Sequence, residues 1–128
     1  MVLFAQCLGA LYGLLAVIFG AFGAHALKKR FSEDQLKSFE TGVKYQMYHA
    51  ILLLLLGFNL KLETALEHFM IYFFVIGVFL FSFSIYGLTL SGSKGKKWRF
   101  LGPITPLGGL LLAAGWGMLL YFFIQKLV

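Results

Sequence analysis

The sequence predicts an all-α fold, an integral membrane four-helix bundle with an interfacial helical extension before the second span. Of its 128 residues 60% are hydrophobic and 12% charged, and 11 Lys and Arg with 5 Asp and Glu could not cover a soluble domain. The apolar residues run in stretches long enough for a helical crossing, which takes roughly 20 residues at ~1.5 Å rise. The polar residues between those stretches form helix caps and turns. We read residues 1–128 as a single membrane domain with spans at about 2–27, 45–60, 65–90 and 106–125.

The first span, from Val2 to Leu27, contains no Asp, Glu, Lys or Arg, and Gln6 and His25 are its main polar interruptions. It ends at Lys28, Lys29 and Arg30. Tyr45 to Leu60 is short, but the preceding residues supply helix. Ser32 with Gln35 makes a capping box, and Phe31 with Leu36 the hydrophobic staple around it. A helix from there to Leu60 would measure roughly 42 Å, more than a crossing requires. Leu36, Phe39 and Val43 alternate with Lys37, Glu40 and Lys44, so this extension is expected at the interface. Thr64 with Glu67 makes a second capping box and opens the third span. Ser91 to Arg99 is a polar, basic loop. Thr105 as N-cap, with Pro106 at the first helical position, is expected to open the fourth span.

Four spans place the 1/2 and 3/4 connections on one side. That side holds Lys28, Lys29, Arg30, Lys37, Lys44, Lys94, Lys96, Lys97 and Arg99, against Lys61 and Lys126 on the other. By the positive-inside bias the basic loops are cytoplasmic and both termini lie outside, in the plasma (inner) membrane. No cleavable signal is expected, because no basic region precedes the first apolar run and that run is too long for an h-region. The cations at Lys28, Lys29, Arg30, Lys94, Lys96, Lys97 and Arg99 are read as contacts for anionic lipids. Nucleic acid is not expected, since it would require a water-exposed basic face. The single cysteine, Cys7, excludes an internal disulfide framework. Every Asp and Glu lies in a loop or at a helix end, so exchange of a proton for a cationic substrate lacks an intramembrane carboxylate.

Helices in lipid approach one another through small residues. Gly9, Gly13 and Gly20, with Ala5, Ala16 and Ala24, fall in one stripe on the first span, and Gly109, Ala113 and Gly117 repeat the pattern on the fourth. These stripes suit helix packing within a subunit or in a homo-oligomer. Polar side chains within spans are costly unless paired, and each is a functional hypothesis. His25 and His49 are expected at similar depth on antiparallel spans, with Tyr45 and Gln46 beside them. Ser82, Ser84 and Tyr86 on the third span and Thr105 on the fourth complete a candidate ligand-binding cluster in the inner half. His25 projects from the side opposite the glycine stripe. No nucleophile motif, phosphate-binding loop or paired carboxylates argue for an enzyme, and no metal or cofactor is expected.

At these positions the chain resembles a known family. Gly20-Ala-Phe-Gly-Ala-His25-Ala-Leu27, Thr41-Gly-Val-Lys-Tyr-Gln-Met-Tyr-His49, Phe81-Ser-Phe-Ser-Ile-Tyr86 and Gly102-Pro-Ile-Thr-Pro-Leu-Gly-Gly109 with Gly115-Trp116 are similar to the YwdK/YgdD-like small membrane proteins. That family is domain of unknown function 423, related to the animal transmembrane protein 256. Its pattern often has glycine between the two serines, where this chain has Phe83. The resemblance implies about four membrane helices and no established activity, substrate or cofactor. Two readings stay open at this point. One is binding or transport of a small molecule, lipid or ion through the polar cluster, and the other is a structural or assembly subunit of a membrane complex with no ligand site of its own.

Overall fold

The computed structural model describes residues 1–128, apart from the side chain of Ala24. Four helices follow one another in antiparallel order: α1 (Val2–Leu27), α2 (Glu33–Asn59), α3 (Ala65–Ser93) and α4 (Ile104–Leu127). A short 3₁₀ turn at Arg99–Leu101 precedes α4. Two helices are interrupted by a wider π-helical turn, Phe19–Gly23 in α1 and Phe79–Phe83 in α3.

The local chemistry of the helix starts is visible in the bonds. Ser32 Oγ accepts from Gln35 N at 3.2 Å while Gln35 Oε1 accepts from Ser32 N at 3.0 Å, closing the first capping box. Phe31 is buried with Phe39 and Tyr86, and Leu36 packs against that group. Glu67 Oε2 accepts from the Thr64 amide, the Thr64 hydroxyl and the Glu63 amide, which closes the second box and the tight 2/3 turn. Leu62 in that turn has a φ of 54°, and its side chain is buried. The start of α4 departs from expectation. Pro103, which has no polar side-chain atom to cap with, is its N-cap, and the Thr105 hydroxyl is engaged instead with Ser84 on α3. Pro106 then falls in the first helical turn, where its missing N–H would have had no partner within the helix.

α1, α3 and the segment ending in α4 are long and apolar enough to cross a membrane. α2 is as long, but its charged first turns and the Tyr45 to His49 segment dilute its hydropathy. It is held in place from both sides. α1 packs along α2, α3 packs on α2, and α4 packs on α3, while α1 and α4 share no extended interface. α3 is the central element: half of its most apolar stretch is buried within the bundle, against 22% for each outer helix. Its Met70, Ile71, Phe74 and Val78, with Leu53 of α2, are fully enclosed.

Small residues set these contacts. A Cβ on Gly9 would sit 2.9 Å from the Ala50 carbonyl oxygen, so α1 and α2 meet almost backbone to backbone there. Further along, Gly20 faces Val43 and Gly23 faces Phe39. On α4 the close approach falls on Gly108 and Gly115. A Cβ at Gly108 would overlap the backbone of Leu80 and Phe81, and one at Gly115 would lie 2.8 Å from the Phe74 ring. Gly109 is only in ordinary contact with the Phe81 ring, and Gly117 looks into open space.

The α1/α2 register overturns the expected depth of the histidines. Gly9 opposite Leu53, Gly20 opposite Val43 and Gly23 opposite Phe39 place His25 level with about Ser38, roughly 16 Å from His49 along the axis. The reason is that α2 turns back directly after Arg30, so its charged first turns run beside the end of α1.

Candidate functional site

From mid-depth toward the basic end, the polar side chains form three layers. The deepest centres on His49, whose Nδ1 is 2.7 Å from the Tyr45 carbonyl and whose Nε2 is 3.1 Å from Trp116 Nε1. A carbonyl only accepts and an indole N–H only donates. Nδ1 therefore carries the proton and Nε2 accepts from Trp116, which defines a neutral imidazole in one tautomer. This bond also bridges α2 to α4, which otherwise share no extended interface.

The next layer is a closed triangle. Gln46, fully buried, donates from Nε2 to the Tyr12 carbonyl at 2.9 Å and accepts on Oε1 from the Tyr86 hydroxyl at 2.7 Å. The Tyr12 hydroxyl donates to the Val75 carbonyl at 2.7 Å. Three side chains thus tie α1, α2 and α3 together. Phe19 and Phe83 from the two π-helical turns pack around Tyr86, with ring centroids 5.2 and 5.4 Å away.

The third layer joins α3 to its neighbours. Ser82 donates to the Gly42 carbonyl at 2.7 Å. Ser84 donates to the Phe81 carbonyl at 2.9 Å, and since it has a single proton, Thr105 donates to Ser84 across 2.6 Å. Among the described residues, no buried side-chain nitrogen or oxygen lacks a partner. Nor do three His, Cys, Asp or Glu side chains converge as a metal set among them.

The sequence-predicted residues therefore divide. Gln46, His49, Ser82, Ser84, Tyr86 and Thr105 lie in this layered network. Tyr45 stands at its edge, its ring 4.9 Å from Phe81 and partly exposed. His25 lies apart, exposed and near the basic end. Because the network's bonds are satisfied internally, what it offers chemically is interhelical fastening.

Further polar side chains line a cavity beside it. A cavity of about 580 Å³ opens at the basic end. Its walls are Asp34, Gln35, Ser38 and Thr41 of α2, Thr89 and Leu88 of α3, Lys97 of the 3/4 connection and Thr105 of α4. At mid-depth a second cavity, about 510 Å³, is bounded by Tyr45, Tyr48, His49, Leu52 and Leu55 of α2 and by Trp116 of α4, and is almost wholly apolar. Asp34, Ser38, Thr41, Tyr45, Tyr48, Leu52 and Leu55 recur at steps of three and four, so one face of α2 lines both. On α4, Gly109 and Ala113 lie between Thr105 and Trp116 at the same spacing. The two cavities follow one another along this face of α2, with Tyr45 against Phe81 between them, and together we term them the groove between α2 and α4. Asp34, Gln35, Ser38, Thr41 and Thr89 were missed as site residues from the sequence, while Lys97 is read from it only as a contact for anionic lipids. Their signal was the polar-to-apolar stripe along α2, masked by the stronger alternation of Leu36, Phe39 and Val43 with charges.

A helical membrane bundle with a lateral groove and an internally bonded polar core is the class of protein defined here. The chain matches the family model "Protein of unknown function (DUF423)" over residues 19–109 and belongs to that family. It is 40% identical over 113 residues to a UPF0382 membrane protein of Staphylococcus haemolyticus, covering 88% of each chain. It is 38% identical over 112 residues to one of Schizosaccharomyces pombe, covering 87% of this chain and 93% of that one. UPF0382 membrane protein YwdK of Bacillus subtilis is 35% identical over 122 residues, with 94% and 95% covered. No solved structure matches.

Proposed function

We propose that this integral membrane protein binds a membrane amphiphile in the groove between α2 and α4. The polar head would sit in the cavity at the basic end and the acyl part along Tyr48, Leu52, Leu55 and Trp116. One observation carries the reading: a single face of α2 changes from Asp34, Ser38 and Thr41 to Leu52 and Leu55 along a groove open to the side, which is the polarity profile of a lipid leaflet. The cavities fall within the roughly 300–1,000 Å³ usual for small-molecule sites. The polar core fastens the helices that form the walls.

The sidedness that suits this reading follows from the charge map. Nine of the eleven Lys and Arg side chains fall at or near the 1/2 and 3/4 connections, so these face the cytoplasm and both termini lie outside, in the plasma membrane. Lys28, Lys29 and Arg30, with the basic 3/4 connection, would then contact anionic lipids of the inner leaflet.

The test is lipid retention by the purified chain, read by native mass spectrometry after detergent extraction. A Cβ at Gly109 meets nothing closer than the Phe81 ring at 3.8 Å, so Gly109→Leu should fold and extend its side chain into the groove. The expected result is loss of a retained lipid in Gly109→Leu and its persistence in Leu14→Phe, on the exposed face of α1. Equal retention by both variants would dismiss the groove.

A further inference from the structure

The charges at the polar end of the groove define a narrower ligand class, in an inference that rests on the groove reading above. We propose that the cavity selects a zwitterionic phospholipid headgroup bearing a primary ammonium, of the phosphatidylethanolamine type, with its ammonium at Asp34 and its phosphate at Lys97. The cavity lining contains one carboxylate, Asp34 in the first turn of α2, and one ammonium, Lys97 on the connection between α3 and α4. These stand on different walls of the same space. A head carrying only negative charge would be attracted to Lys97 and repelled by Asp34, and a head carrying only positive charge the reverse. A head with one charge of each sign satisfies both.

The other basic residues at this end do not line the cavity: Lys28, Lys29 and Arg30 belong to the 1/2 connection, and these with Lys37, Lys94, Lys96 and Arg99 are outside the lining. Gln35 Nε2 and the Ser38 hydroxyl can donate to phosphate and ester oxygens, and the Ser38 hydroxyl can accept from an ammonium N–H, whereas the Thr89 proton is committed to the Ile85 and Tyr86 carbonyls. A quaternary ammonium, by contrast, has no N–H to donate and is ordinarily held against aromatic faces. No aromatic side chain lines this cavity among the described residues. The aromatic residues of the groove, Tyr45, Tyr48 and Trp116, lie deeper, where acyl chain would run. The face of α2 that runs from this cavity to the apolar one points to a lipid rather than a free phosphate compound.

The experiment reconstitutes the full chain in vesicles of equal phosphatidylethanolamine, phosphatidylglycerol and phosphatidylcholine, extracts it in mild detergent and identifies the retained lipid by native mass spectrometry. Wild type should retain phosphatidylethanolamine about five-fold over the other two, a preference of the size one semi-exposed ion pair supports. Asp34→Asn should abolish that preference without loss of total bound lipid. Asp34→Lys should turn it toward phosphatidylglycerol, which a merely structural role for Asp34 would not do. Added glycerophosphoethanolamine, the same head without acyl chains, should not displace the lipid at equal concentration. Bound lipid with no head preference, a wild-type preference for phosphatidylglycerol, a preference untouched at Asp34, or displacement by the acyl-free compound would each overturn the inference while leaving the groove occupied. Absence of retained lipid would remove the groove reading and this inference together.

Discussion

Gln46 shows how one residue decides much of this bundle. Its amide spends one donor on the Tyr12 carbonyl and its oxygen on the Tyr86 hydroxyl, all inside the protein. Gln46→Leu leaves the Tyr86 hydroxyl without its acceptor, and an orphaned buried polar group costs about 1–3 kcal/mol. We expect a lowered thermal midpoint in detergent and a smaller loss when Tyr86→Phe is combined with it than the two single losses added together. Strict additivity would show that the bond does not couple the helices. His49 is bound at both nitrogens, so His49→Leu should also destabilise, and it removes the bridge from α2 to α4. Tryptophan emission should report this, since Trp116 loses its hydrogen-bond acceptor. Measured in a Trp98→Phe background, an unchanged Trp116 spectrum would rule out the His49 contact.

The helices meet through glycines, and the faces these occupy give element-scale expectations. Gly108→Ala drives a methyl into the backbone of α3, where neither helix can yield without shifting. Over-packing of that kind typically costs about 1–3 kcal/mol. Gly117→Ala meets nothing, and the gain in helix propensity of up to about 1 kcal/mol makes it neutral or stabilising. Thermal melts of the two variants side by side check the pairing of α3 with α4. Equal midpoints would refute it. Both small-residue stripes are evident in the sequence, but the chain of contacts is not. The α1 stripe packs on α2, whereas α4 uses Gly108 and Gly115, on a different face of the helix from the Gly109 and Gly117 expected. Periodicity identifies a row of small residues, and the rotation that turns a particular row inward is set by Phe74, Leu80 and Phe81 on the neighbouring helix.

At the scale of the molecule, charge and groove give the bundle a direction. If the basic connections are cytoplasmic, Lys61→Cys in a Cys7→Ser background should react with an impermeant maleimide on intact cells, and Ser93→Cys only after permeabilisation. The reverse pattern would invert the proposed sidedness. The groove arises because α3 lies centrally and α2 and α4 flank it without packing along each other. Closing that gap with bulk at Gly109 is expected to alter lipid retention more than stability, which sets it apart from Gly108 on the packed face.

The helices themselves, their capping boxes, the grouping of cations and the identity of the intramembrane polar residues were legible from the chain alone. Each depends on neighbours within a few positions, where side-chain chemistry acts directly on the backbone. Tertiary structure decided what those residues do. Gln46 finds its partners 34 and 40 positions away and His49 finds Trp116 67 positions away, so their pairing awaits helix register. Register also parted His25 from His49 and drew Thr105 from a cap to a bond with Ser84. The cavity at Asp34 and Lys97 shows in the sequence only as the stripe along α2, because its other walls come from two further helices and a connection.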